Sequence, residues 1–164
     1  MKTKKVAFLG LSIALAMILS FVESQIPALV AVPGVKVGLP NLVMVFLLYK
    51  VGWKETVIVS LIRILLVSML FGNVQTMWFS LAGAVLSLGV MILMKKFTSF
   101  SHASISVVGG IFHNVGQILV ACFITKTPQI TYYLPILIIS GSAAGILVGL
   151  AAGMLEKRVP KIKF

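Results

Sequence analysis

Residues 109–117 read Gly109-Gly110-Ile111-Phe112-His113-Asn114-Val115-Gly116-Gln117 and lie inside an apolar run, 104–125, that is long enough to cross a bilayer. His113 and Gln117 are four residues apart, and Asn114 and Gln117 are three apart, so a helix places all of them on one side. Polar side chains at membrane depth are costly unless they face a partner or a wet cavity. The stretch therefore predicts a helix whose polar side either bonds to a neighbouring helix or lines a binding cavity.

The composition is that of an integral membrane protein. The chain has 164 residues, of which 60% are hydrophobic, and its mean hydropathy is +1.15, well above that of a soluble globular chain. This length allows one compact helical bundle and no second domain. The lysines flank the apolar runs, so their role in membrane orientation explains the positive charge better than nucleic-acid binding does. No nucleic-acid partner is expected.

The apolar runs predict a single bundle of six transmembrane helices. They occupy about residues 6–22, 37–50, 55–71, 76–94, 104–125 and 132–155. The first run follows several lysines in the manner of a signal peptide, but further spans follow, which favours a retained first helix. The second run is short for a full crossing and predicts a short or tilted helix.

The loop between the first two helices, residues 24–36, is expected to be structured. Pro27, Pro33 and Gly34 discourage a continuous helix there. Most of the other side chains are apolar, which favours packing of this loop against the bundle.

The positive charges predict the orientation. If the N-terminus is cytoplasmic, the inner segments carry all the lysines and arginines except Lys36 and Lys126 on the outer side and Arg63 within the third helix. The positive-inside rule strongly favours this arrangement. Both termini are therefore predicted to be cytoplasmic.

This topology gathers polar side chains between the midplane and the outer face. Arg63 follows Lys54 by nine residues, which puts it roughly 13 Å deep by the helical rise, and His113 lies at a similar depth. We interpret the set as an outward-opening pocket for a small anionic or amphiphilic ligand, covered by residues 24–36. The candidate ligand-binding residues are Glu23, Lys36, Asn41, Arg63, His113, Asn114 and Gln117.

The energetic cost of placing Arg63 inside the membrane can be offset in two ways, which are compatible with each other. An arginine at mid-membrane costs about 2.5–3.5 kcal/mol on insertion scales. A buried ion pair with Glu23 would offset that cost without a ligand. Alternatively, the planar guanidinium binds a phosphate or carboxylate through two parallel hydrogen bonds. His113 has no second His, Cys or Asp at metal-ligand spacing, so neither a metal nor another cofactor is predicted.

Rows of small residues predict close helix packing. One row, at four-residue spacing on the first helix, is formed by Ser12, Ala16 and Ser20. A second, on the sixth helix, is formed by Gly141, Gly145, Gly149 and Gly153. Such rows let another helix approach closely, either within the bundle or from a partner subunit.

Three segments resemble a bacterial membrane family that is commonly labelled heptaprenyl diphosphate synthase component I, or Gx transporter. They read Phe21-Val22-Glu23-Ser24-Gln25-Ile26-Pro27, Pro33-Gly34-Val35-Lys36-Val37-Gly38-Leu39-Pro40-Asn41 and His113-Asn114-Val115-Gly116-Gln117. The family is similar in size and helix count to the substrate-binding S components of energy-coupling factor (ECF) transporters. That similarity implies a bacterial multi-pass membrane protein with a ligand site on the outer side, under the loop after the first helix.

The resemblance also implies partners. In the S-component interpretation, the row Ser12, Ala16 and Ser20 docks on a shared transmembrane subunit, which works with an ATPase module. The label component I implies instead a partnership with the catalytic subunit of a prenyl diphosphate synthase, in making the polyprenyl tail of menaquinone.

The chain is not expected to be catalytic alone. Prenyl elongation needs Mg²⁺ held by aspartate-rich motifs, and this sequence contains no Asp and only three Glu. It also lacks a Walker A motif that could power transport. The leading hypothesis is an S-component-like binding protein for transport. The alternative is a non-catalytic membrane subunit of a heptaprenyl or polyprenyl diphosphate synthase.

Overall fold

The computed structural model of the chain describes residues 2–26 and 37–160. These residues form α-helices and one 3₁₀ helix, Pro128–Tyr133, and no strand occurs among them, which confirms the all-α prediction. The helices are α1 (Lys2–Gln25), α2 (Leu39–Lys50), α3 (Trp53–Leu70), α4 (Val74–Phe97), α5 (His102–Thr125) and α6 (Leu134–Arg158).

Local sequence accounts for where the helices begin. The Asn73 side chain accepts a hydrogen bond of 2.8 Å from the backbone N–H of Thr76, whose hydroxyl in turn accepts from the Asn73 backbone. This capping box starts α4. The Ser101 hydroxyl accepts from the backbone N–H of Ser104 at the start of α5. Gly38 precedes α2 in the left-handed conformation, with φ of 77°, which glycine adopts at no steric cost.

Several helices are long and apolar enough to cross a bilayer. In the described part of the chain these are α1, α4, α5 and the continuous segment Pro128–Arg158. The short second helix that the sequence predicts is α2, which has 12 residues, most of them apolar. Large apolar side chains cover the exterior; Phe123, for example, is 85% exposed. These features are compatible with a membrane protein, and the crossing of α2 and α3 stays a prediction.

The helices pack in a closed ring. Helix α1 packs on α2 and α3, α3 packs on α4, α4 on α5, α5 on α6, and α6 returns to α2. The interface between α5 and α6 is particularly close: a Cβ built on Gly145 would lie 2.5 Å from the Val107 Cα, and one on Gly149 would lie 2.5 Å from the Ala103 Cα. The close packing that the glycine row predicted on α6 is therefore confirmed at these positions.

The interior of the bundle contains both apolar and polar side chains. In the half that carries the start of α1 and the end of α6, apolar side chains such as Leu47 on α2, Val59 on α3 and Ile105 on α5 are fully buried. Ion pairs join helices at that end: Lys5 contacts Glu55 at 2.5 Å, and Lys50 contacts Glu156 at 3.2 Å. Buried polar side chains occur in both halves: Thr56 and Ser106 lie near the starts of α3 and α5, and Arg63 lies near the middle of α3.

Candidate functional site

A cavity of about 70 Å³ lies inside the bundle, and all six helices contribute residues to its wall. It has room for a few water molecules or one small anionic group. All the candidate ligand-binding residues that the structure describes line this cavity: Glu23, Asn41, Arg63, His113, Asn114 and Gln117. Lys36 and most of the proposed covering loop, 27–36, lie outside the described residues.

Arg63 brings an incompletely bonded guanidinium into the cavity wall. The residue is only 8% exposed. Its Nη1 donates to the Ser20 hydroxyl at 3.3 Å, while its buried Nε has no hydrogen-bond partner in the described part of the chain. No carboxylate of the described residues forms a salt bridge with it. A guanidinium has five N–H donors, so Arg63 retains the capacity to bind an anion.

Glu23 contacts the start of α2 rather than Arg63. Its carboxylate accepts hydrogen bonds from the backbone N–H groups of Gly38 and Leu39, the second at 3.3 Å. These donors belong to the first turn of a helix, where backbone N–H groups lack partners and negative charge is favoured. The ion pair between Glu23 and Arg63 that the sequence suggested is therefore not formed here, although both side chains line the same cavity.

Replacing Glu23 with alanine is expected to destabilise the protein by about 0.5–2 kcal/mol, because it removes the side-chain acceptor that caps α2. Glutamine keeps an acceptor oxygen, so Glu23→Gln should lose less. The melting temperatures of the two detergent-purified variants, compared with that of the parent, measure both losses of stability. Equal losses for the two variants would contradict capping as the role of this side chain.

The polar residues of α5 connect the cavity to its neighbours. The His113 ring packs against α4, where a Cβ on Gly83 would lie 2.8 Å from the His113 Nδ1. The Asn114 Nδ2 donates to the Leu137 carbonyl of α6 at 2.7 Å. Asn114 therefore both joins two helices and lines the cavity, so the two explanations of the polar stretch hold together. Gln117 lines the same wall.

Sequence reasoning missed part of the cavity wall. Ser80 on α4 and Ser106 on α5 also line it, and Ser106 is 4% exposed. Ser106 lies seven residues before His113, two helical turns along the same side of α5. Extending the polar row of residues 113–117 toward the N-terminus would have found it.

The small-residue row of α1 faces the interior. Ser12, Ala16 and Ser20 are all buried, on a helix that packs against α2 and α3. The Ser20 hydroxyl donates to the Ala16 carbonyl at 2.8 Å and accepts from Arg63. In this structure the row therefore serves packing within the bundle, the other use that the sequence allowed. Docking of a partner subunit through the row stays a prediction.

The donors around the cavity offer charge and hydrogen bonds. Among the described residues, no group of three or more His, Cys, Asp or Glu side chains is arranged to hold a metal ion. A guanidinium, three amides and two hydroxyls instead line the cavity and offer donors to an anion or a polar head group.

Comparison with known families gives one match. The sequence profile described as heptaprenyl diphosphate synthase component I matches residues 12–155, which include every described residue of the cavity wall. No curated protein matches the chain, and no solved structure does.

Proposed function

Because the chain belongs to the heptaprenyl diphosphate synthase component I family, we propose that it is the non-catalytic membrane subunit of a polyprenyl diphosphate synthase. It binds an anionic group in the cavity and works beside a catalytic partner subunit. The observation that carries the binding role is the guanidinium of Arg63, which is buried in the cavity wall with its Nε unpartnered.

The environment of Arg63 favours an anionic ligand. Burying a charge is costly, and although the Glu23 carboxylate is near enough to act on Arg63 electrostatically, no described residue forms a salt bridge with Arg63. Diphosphate, phosphate and carboxylate groups all match the planar fork of a guanidinium. The amides of Asn114 and Gln117 add donors to the same wall. Binding of such a group offsets the cost of burying the charge.

Chain elongation itself belongs to the partner in this proposal. It needs Mg²⁺ held by clustered carboxylates, and this chain has no Asp. Glu55 and Glu156 form ion pairs at the other end of the bundle, and Glu23 caps α2. The chain therefore contributes binding and membrane attachment, and the partner contributes the metal-binding aspartates.

We further propose that the chain lies in the bacterial cell membrane, that it crosses the membrane six times and that both termini are cytoplasmic. The long apolar helices support this placement. So does the charge distribution, because Lys5, Lys54, Lys95 and Lys157 all belong to the end with the termini, whereas Lys126 lies at the opposite end. The positive-inside rule makes the first of these ends cytoplasmic.

A second candidate function, uptake in the manner of an S component, is favoured by the position of the cavity. Glu23, Asn41 and Gln117 of its wall lie toward the ends of α1, α2 and α5 that are opposite the lysine-rich end, which supports entry of the ligand from the outer side in the proposed orientation. The segment between α1 and α2 would cover the cavity, and an ECF-type transmembrane subunit with its ATPase module would drive transport.

The test uses the full chain purified in detergent. A ligand that binds only the folded state stabilises it by about 2.7 kcal/mol when present at 100 times its Kd. We expect inorganic diphosphate to raise the melting temperature, and glycerol at the same concentration to leave it unchanged. Absence of stabilisation by diphosphate, phosphate and citrate alike would contradict an anion cavity.

Affinity purification of the tagged chain from its own cells separates the two candidate functions. Retention of a prenyl diphosphate synthase subunit supports the component I role. Retention of an ATPase module without that subunit supports uptake instead.

A further inference from the structure

The lysine-rich end of the bundle has a second concavity, separate from the cavity at Arg63. It is a groove of about 740 Å³ between the end of α2, the start of α3 and the end of α4. Its walls are mainly apolar: Leu48, Trp53, Val57, Gly89, Ile92 and Leu93 line it. The groove is far larger than the cavity at Arg63, so it can receive part of an extended apolar chain.

Gly89 keeps the groove open along α4. The residue is exposed, and a Cβ built on it would meet no atom within 4 Å. Gly89 precedes Lys95 by six residues, so the groove runs roughly 9 Å along the helix at 1.5 Å per residue. Trp53 forms part of the opposite wall, on α3.

Cationic side chains stand at one end of this apolar groove. Lys95 and Lys96 line it where α4 ends. The Lys95 ammonium is held in place, because it donates to the Leu48 carbonyl and lies 4.8 Å from the centre of the Tyr49 ring. Lys96 is exposed. The groove therefore combines apolar walls with two positive charges at its mouth, one half-buried and one exposed.

We infer that the groove binds a polyprenyl diphosphate, with the diphosphate at Lys95 and Lys96 and the first isoprene units along Gly89, Ile92 and Leu93. This inference rests on the proposed component I function. The charge pattern selects the ligand, because a neutral chain leaves the exposed ammonium of Lys96 without an anion and a hydrophilic anion leaves the apolar walls in water. In the proposed orientation the groove opens on the cytoplasmic side, where the catalytic partner would release its product.

The test uses the fluorescence of Trp53. The chain has two tryptophans, so Trp78→Phe leaves Trp53 as the only one. Titration of this variant with geranylgeranyl diphosphate in detergent is expected to change its emission and to saturate. Adding Gly89→Phe should weaken the binding at least about tenfold, because the ring fills space that the isoprene chain would occupy. Lys96→Glu should weaken binding of the diphosphate but not of geranylgeraniol.

Gly10→Phe is the matched control. Gly10 is also an exposed helix glycine at which a Cβ would meet no atom within 4 Å, but it lies on α1, away from the groove. It should bind geranylgeranyl diphosphate like the parent, and equal melting temperatures of the two Phe variants would show that both fold.

Three outcomes would overturn the groove assignment. The first is equal binding of geranylgeranyl diphosphate by the Gly89→Phe and Gly10→Phe variants. The second is loss of binding in Arg63→Gln alone. That result would place the prenyl diphosphate in the cavity while preserving the component I role. The third is an equal Trp53 response to phosphatidylglycerol, which would make the groove a general lipid site. Failure to retain any synthase subunit would instead reject the component I role itself.

Discussion

Replacing Arg63 with glutamine is expected to lower the affinity of the cavity for inorganic diphosphate by roughly ten- to a hundredfold. Hydrogen bonds to charged groups contribute about 1.5–3 kcal/mol, and 1.4 kcal/mol is a factor of ten in affinity. Arg63→Lys keeps the charge but loses the planar fork, so its loss should be smaller. Isothermal titration of the purified full chain measures the diphosphate affinity of the parent and of both variants.

Lys126→Gln is the charge-matched control. Lys126 is exposed, lies at the end of the bundle opposite the lysine-rich end and does not line the cavity. Its replacement removes one positive charge, as Arg63→Gln does, and should leave diphosphate affinity within about twofold because an exposed charge is screened by salt. Equal losses for these two variants would show that the effect of Arg63 is one of net charge rather than of direct contact.

Stability without ligand separates a binding role of Arg63 from a structural one. Removing a partner from a satisfied buried network is destabilising by about 3–5 kcal/mol. Among the described residues, Arg63 makes one side-chain hydrogen bond, to Ser20, and its buried Nε has no partner. The ligand-free Arg63→Gln variant should therefore melt near or above the parent temperature. A large drop would indicate that the guanidinium is needed for the fold itself.

Replacing Gly149 with alanine is expected to destabilise the protein by about 1–3 kcal/mol, the range for overpacking a tight interface. The added Cβ would lie 2.5 Å from the Ala103 Cα and 2.7 Å from the His102 carbonyl oxygen. Both are backbone atoms, so relief requires α5 and α6 to move apart. Thermal unfolding in detergent, followed by circular dichroism, measures the loss.

Gly153→Ala provides the comparison one turn further along the same row. Its Cβ would meet only the His102 side chain, at 3.5 Å, which is ordinary contact. Alanine is also the better helix former by about 1 kcal/mol, so this variant should be as stable as the parent or more so. If both alanine variants unfold at the same temperature, the close approach of α5 and α6 near Gly149 is wrong.

Glu23 shows which features of the candidate site could be predicted from the sequence and which could not. Its place at the end of the first helix, in the same outer half as Arg63, followed from the helical rise and the order of the apolar runs. Its actual partners, Gly38 and Leu39, did not follow, because α2 begins after a turn whose path depends on how α1 and α2 pack. A carboxylate at that level has two candidate partners, and only their positions in space choose between them.

The groove at Gly89 illustrates the opposite case. No periodic pattern marks it, because Gly89 is one small residue of α4 among several. The groove exists where α2, α3 and α4 leave space between them, and the width of such a gap is a property of the packed helices.

The sequence by itself determined the all-helical class, the close packing of α6 on another helix and most of the set of polar residues that lines one cavity. Each of these follows from a helical repeat of 3.6 residues and from the aversion of polar groups for an apolar medium. The tertiary structure alone decided that the row Ser12, Ala16 and Ser20 faces inward, that Glu23 caps α2, and that Arg63 keeps an unpartnered Nε. Those outcomes depend on the rotation of each helix about its axis, which is set by the neighbours it packs against.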